Sequence, residues 1–178
     1  MPHGAPTLLA SHQLLDGDVT ALVWGGDSPS APAAVPVGVL LAVGGRSGSV
    51  KLLRVQLDGS AEVLAEASDH KAAVSGLAFV QSGTAGDVGL VSTDREGRRV
   101  LYGWSAAKGQ LNVASTAIVP RGSFVGLEAA QGGAALLAAS RGGRATVWEA
   151  GTGSERRTVQ LLGSSHGGCR CSSERCIA

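Results

Sequence analysis

An all-β chain is expected from three features of this 178-residue sequence. Its apolar residues come in short runs, each closed off by Gly, Ser or Asp. Few windows hold the 3.6-residue period that a long helix needs. Gly is abundant, at 27 residues, so turns are frequent; aromatics are only 3%, so the core must be built from small aliphatic side chains and three Trp. Many short strands with frequent turn signals describe a sandwich, a barrel or a propeller.

The strands fall into three groups of four. The first group opens after the polar "DGD" with "VTALVW" (19–24) and continues with "VGVLLAV" (37–43), "VKLLRVQ" (50–56) and "AEVLAEA" (61–67). The last of these also fits one or two turns of helix. Between its first two strands, "GGDSPSAPAAVPVG" (25–38) reads as a flexible excursion because of its Pro, Ser and Ala. The second group is "VSGLAFV" (74–80), "VGLVST" (88–93), "RVLYGW" (99–104) and "LNVASTAIV" (111–119). The third is "FVGLEAA" (124–130), "ALLAAS" (135–140), "RATVWEA" (144–150) and "RRTVQLL" (156–162). Trp24 closes the first strand and is expected to fill the core, with Phe79 and Ala129 or Ala130 near that place in the other groups.

The groups repeat in content as well as number. A polar entry leads into each first strand, and each second strand is aliphatic with small residues at its end. An Arg-x-Gly turn follows at 46–48, 95–97 and 141–143. The third strand then runs to Leu53-Arg54, Trp104-Ser105 or Trp148-Glu149. This pattern resembles the WD40 repeat family, whose repeats run about 40–45 residues with four strands per blade. The resemblance spans residues 17–162, as repeats of about 17–67, 68–119 and 120–162, and its best copy is "LLAASRGGRATVWEAGTG". It implies a partial β-propeller of three blades. Residues 1–16 form a lead-in that offers an outer strand, and 163–178 a disordered, Cys-containing tail.

The resemblance also implies a hydrogen-bonded set inside each blade, made of His, Ser or Thr, Trp and a turn Asp. Only the second repeat assembles it, from His70 (in an Asp69-His70 pair), Ser92, Asp94 and Trp104. The third keeps Ser140 and Trp148 but has Gly142 near the Asp position. The first has Asp16-Gly17-Asp18 at the His dipeptide and no Trp-Asp. Three blades do not close a ring, since closed propellers have about four to eight. The chain is then a piece of a larger propeller, self-associates, or accepts blades from a partner.

Other chemistries find little support. The formal net charge is +1, which recommends neither nucleic acid nor an acidic membrane. No run of 18 or more apolar residues exists, and the N-terminus lacks a signal-peptide pattern. All three Cys lie in the last ten residues, which favours a reducing intracellular compartment, cytoplasmic or nuclear. His166, Cys169, Cys171 and Cys176 are too tightly spaced, without a second paired motif, to argue for zinc. "GGRSGSVK" lacks the ending of a phosphate loop and opens a strand. "ASRG" lacks the helix and downstream His of a nucleophile elbow. No metal, no cofactor and no catalysis are expected.

Arg46, Arg95 and Arg141 each stand two residues before a turn Gly. In WD40 propellers, the resemblance implies, that turn lies on the face that carries partner contacts. Three guanidiniums on one rim suit an acidic or phosphorylated protein segment. The function expected is therefore a non-catalytic interaction scaffold within a larger complex. The alternatives are an RNA-associated subunit that uses these Arg on phosphates, and a truncated propeller without independent function.

Overall fold

The computed structural model describes residues 11–15, 17–25, 38–81, 87–105, 108–118, 124–130, 133–150, 152 and 154–160. They form twelve strands in three antiparallel four-stranded sheets, each taken up in chain order. The first sheet holds β1 (Val19–Gly25), β2 (Val39–Gly45), β3 (Val50–Val55) and β4 (Ala61–Ala67). The second holds β5 (Val74–Gln81), β6 (Asp87–Asp94), β7 (Arg98–Ser105) and β8 (Gln110–Ile118). The third holds β9 (Phe124–Ala130), β10 (Ala135–Ser140), β11 (Arg144–Glu149) and β12 (Glu155–Gln160). All twelve expected strands are present, and "AEVLAEA" is strand rather than helix. The proposed tail at 163–178, its metal-ligand candidates included, lies outside the described residues, as does most of the lead-in. No helix among the described residues is long and apolar enough to cross a membrane.

The turn glycines fix the register between sheets. Gly48, Gly97 and Gly143 adopt φ of 89°, 87° and 69°, a region that an L side chain enters only with strain. Each donates its N–H to the carbonyl three residues back: Gly45 at 3.2 Å, Asp94 at 3.2 Å and Ser140 at 3.0 Å. Gly45, Asp94 and Ser140 are therefore equivalent. The strand pairing agrees, because Leu41 faces Leu53, Leu90 faces Tyr102, and Leu136 faces Trp148.

This register corrects three sequence assignments. Tyr102, not Trp104, is the partner of Leu53 and Trp148, while Trp104 matches Val55 and Ala150 one pleat further on. The position of Asp94 falls on Ser140 in the third sheet, not on Gly142. The position of Ser92 falls on Ala138, so Ser140 is not the third sheet's blade serine.

The sheets stack face to face, with β5 between β1 and β9. Leu40, Ala42, Val50 and Leu52 of the first sheet pack against Val74, Leu77, Leu90, Val100 and Tyr102 of the second. Ala78, Val80 and Val91 pack in turn against Phe124, Leu136, Ala138 and Trp148. Each fully buried aliphatic side chain contributes roughly 1.5–3 kcal/mol. Trp24 is not core: it is 53% exposed, because its face of β1 points away from the second sheet. Phe79, at the same position of β5, packs into the joint between the first two sheets.

Candidate functional site

The polar cluster of the second sheet grows from a short loop before β5 and the turn after β6. His70 Nδ1 donates to Asp94 Oδ2 at 3.0 Å, since a carboxylate can only accept, and the Ser92 hydroxyl donates to Nε2 at 2.5 Å. The other Asp94 oxygen accepts the backbone N–H groups of Glu96 at 3.0 Å and Arg98 at 2.9 Å, which ties the β6–β7 turn. Burial lowers the His70 pKa despite the opposing Asp94 carboxylate, which keeps the ring neutral and leaves Nε2 free to accept. Tyr102 is buried beside the set, where burial pushes its pKa up and its hydroxyl has no hydrogen-bond partner among the described residues. Trp104 is also buried, but its indole N–H has no partner among the described residues.

Ser92, His70 and Asp94 stand in the hydrogen-bonding order of a hydrolase triad. All three are buried, Ser92 completely, so no substrate reaches the hydroxyl. What the arrangement does is tie the loop before β5 to the β6–β7 turn.

The exposed chemistry lies on the turns. Arg46, Arg95 and Arg141 each occupy the first position of the turn between the second and third strands of a sheet. The Arg46 N–H donates to the Asp18 carbonyl at 3.0 Å and the Arg95 N–H to the Ala73 carbonyl at 3.1 Å, so both turns are anchored alike. Arg46 and Arg95 stand in corresponding turns of the first two sheets. With Asp18, Val19 and Thr20 they line a shallow, open depression of about 460 Å³. Arg141 is exposed in the third sheet's turn and does not line it. Two of the three arginines thus line one depression. Arg46 Nη1 also lies 2.9 Å from Asp18 Oδ2, with both side chains largely exposed. Arg95 has no ion-pair partner among the described residues.

Sequence reading missed two features. Arg99 is buried with its guanidinium 5.1 Å from the centre of the Trp148 ring, and burial lowers its pKa. The same ring meets Phe124 edge-on, at 5.4 Å and 81°. Tyr102 was also overlooked, although a signal existed: Leu53, Tyr102 and Trp148 each stand five residues after their turn glycine.

Neither a family model nor a curated protein matches the sequence. Solved structures do match its architecture. The C-terminal WD40 domain of Sif2 aligns with a TM-score of 0.57 and 18% identity, over 83% of this chain and 38% of that one. Sqt1 of Saccharomyces cerevisiae aligns with a TM-score of 0.63 and 16% identity, over 85% of this chain and 40% of that one. The fold is that of part of a WD40 β-propeller. Sqt1 of Chaetomium thermophilum, bound to the N-terminus of the ribosomal protein L10, gives 0.57 and 18%, over 81% of this chain and 34% of its own. The chain spans well under half the length of these WD40 structures, and its three sheets are three blades.

Proposed function

We propose that this chain is a non-catalytic protein-interaction scaffold of intracellular complexes, whose blades present the Arg46–Arg95 depression to an acidic or phosphorylated segment of a partner. The observation that carries this reading is that two equivalent turn arginines of neighbouring blades line one depression, one of them without a carboxylate partner among the described residues. A guanidinium binds carboxylate or phosphate through paired N–H donors, which gives orientation as well as charge. That Chaetomium thermophilum Sqt1 holds a protein segment supports a protein partner.

The test is fluorescence anisotropy with a labelled Glu-rich peptide and its phosphoserine counterpart. Arg46→Ala and Arg95→Ala should each weaken binding about fivefold or more, and Arg141→Ala should leave it nearly unchanged. Equal losses from all three would overturn the depression as the docking place. A steep salt dependence with single-stranded RNA, and none of these losses with peptide, would replace the reading by phosphate-backbone binding.

A further inference from the structure

Each joint between blades sets a leucine of one blade, the knob, against small residues of the blade before it, the socket, in detail that differs between the two joints. At the first joint Val74 of β5 fills the space at Gly44, its Cγ1 2.5 Å from an added Cβ, and Leu77 Cδ1 lies beside it at 3.4 Å, an ordinary contact. Leu127 of β9 seats at Gly76, where an added Cβ would lie 2.7 Å from its Cβ. Gly76 excludes a side chain because of Leu127, and Gly44 because of Val74; the first-blade counterpart of Gly76 is Ala21, which faces Gly44 across the strand pair. Strand register places Leu22 of β1 at the position of Leu77 and Leu127, because Leu22 faces Val43 as Leu77 faces Ser92 and Leu127 faces Ala138. It places Gly126 of β9 at the position of Gly76. Among the described residues, Leu22 meets no socket and is 51% exposed, and Gly126 meets no knob, with nothing within 4 Å of an added Cβ.

The surroundings of both ends follow the same logic. Leu137 of β10 is 44% exposed, whereas Val91, its counterpart in the second blade, is 1% exposed beneath the third. Beside the knob, Trp24 is exposed where Phe79 comes within 3.3 Å of a Cβ added at Gly25. The counterpart of Gly25 on the third blade is Ala130, again a small residue. The chain thus carries at its two ends the two halves of the joint that Leu127 and Gly76 build between its second and third blades.

We propose that these ends close on a second copy of the chain, head to tail, with Leu22 of each copy seated at Gly126 of the other. Two copies supply six blades, inside the range of about four to eight in which propellers close. A joint between unlike faces makes a ring when its rotation closes.

The experiment uses the full chain in analytical ultracentrifugation and light scattering, with Leu22→Arg, Gly126→Arg and their equimolar mixture. Wild type should run at twice the 17.8 kDa chain mass, and each variant at 17.8 kDa. The mixture should recover dimer, because Leu22 of the Gly126→Arg copy still seats at Gly126 of the Leu22→Arg copy, though more weakly than wild type because the other joint then carries both arginines. That recovery also shows that both variants fold. A monomeric wild type, variants that stay dimeric, or a mixture that stays monomeric would each overturn the proposal. Species larger than a dimer would overturn the two-copy ring.

Discussion

Leu15 stands in the first blade where His70 stands in the second. The equivalence is set by the bonds from Arg46 N–H to the Asp18 carbonyl and from Arg95 N–H to the Ala73 carbonyl, each three residues further on. Around His70 are Ser92, Asp94 and Tyr102; around Leu15 are their counterparts Val43, Gly45 and Leu53. Leu15, Val43 and Leu53 form one buried cluster, and a Cβ added at Gly45 would lie 3.0 Å from Leu15 Cδ1. The same backbone site is thus filled by a hydrogen-bonded set in one blade and an apolar set in the next.

The two solutions should not mix. His70→Leu alone removes a donor from the buried Asp94 carboxylate and strands the Ser92 hydroxyl, at a cost of about 2–4 kcal/mol. His70→Leu with Ser92→Val and Asp94→Gly rebuilds the first blade's apolar set and should recover at least half of that loss. Urea unfolding of both variants measures the difference. A triple variant less stable than the single one would show that the polar set is needed for the β6–β7 turn itself.

Stability should fall as the solution turns mildly acidic. Burial holds His70 below its ordinary pKa of 6.5 in the fold, so between the two values the unfolded chain binds the extra proton. The fold's advantage is complete above about pH 6.5 and is lost as pH falls towards the lowered folded value. The slope is at most about 1.4 kcal/mol per pH unit from this one group. Melting temperatures between pH 7.5 and 5.5 should decline for wild type and decline less for His70→Gln. Parallel curves would assign the loss to other groups.

The sequence carried the architecture well because strands, turns and repeat are local signals. Period-2 runs, turn glycines and the Arg-x-Gly motif fixed twelve strands in three blades. It carried the polar set less well because alignment on aromatic residues pulled Trp104 onto Trp148, a shift of one pleat. Trp104 and Tyr102 both point to the same side of β7 and both are buried, so only the turn-glycine spacing separates them. Leu15 was invisible for another reason, since a site that has exchanged its hydrogen bonds for apolar contacts keeps no motif. Exposure of Trp24 depends on which blade lies beyond β1, which no local pattern records. Arg99 was hidden by its neighbours in "REGRR", where only the fold separates an exposed Arg95 from a buried Arg99.

Arg99 should act as a latch between the second and third blades. Its guanidinium lies over the Trp148 ring in a setting where water is largely excluded, and such contacts are worth about 1–2 kcal/mol. Arg99→Ala removes this contact and uncovers the indole, so emission should shift to the red and stability should drop by about that amount. Arg99→Lys should fall between, because a compact ammonium covers less of the ring. An unchanged Arg99→Ala midpoint would show that desolvation of the guanidinium already cancels its attraction to the ring.

Asp18 should restrain binding at the depression. Its carboxylate occupies Arg46 at 2.9 Å and adds a negative charge where an acidic segment would dock. An exposed pair of this kind contributes at most about 1 kcal/mol, so a ligand can displace it, but at a cost of that order. Asp18→Asn removes the cost and the repulsion, while the bond from Arg46 N–H to the residue-18 carbonyl, a backbone contact, survives. Affinity for the Glu-rich peptide should therefore rise about fivefold at low salt, and the gain should shrink as salt is added. The gain should shrink in an Arg46→Ala background, where only the repulsion is left to relieve because Asp18 has no guanidinium to withhold. A gain as large without Arg46 as with it would mean that Asp18 acts by repulsion alone, and the docking charge would have to be sought at Arg95.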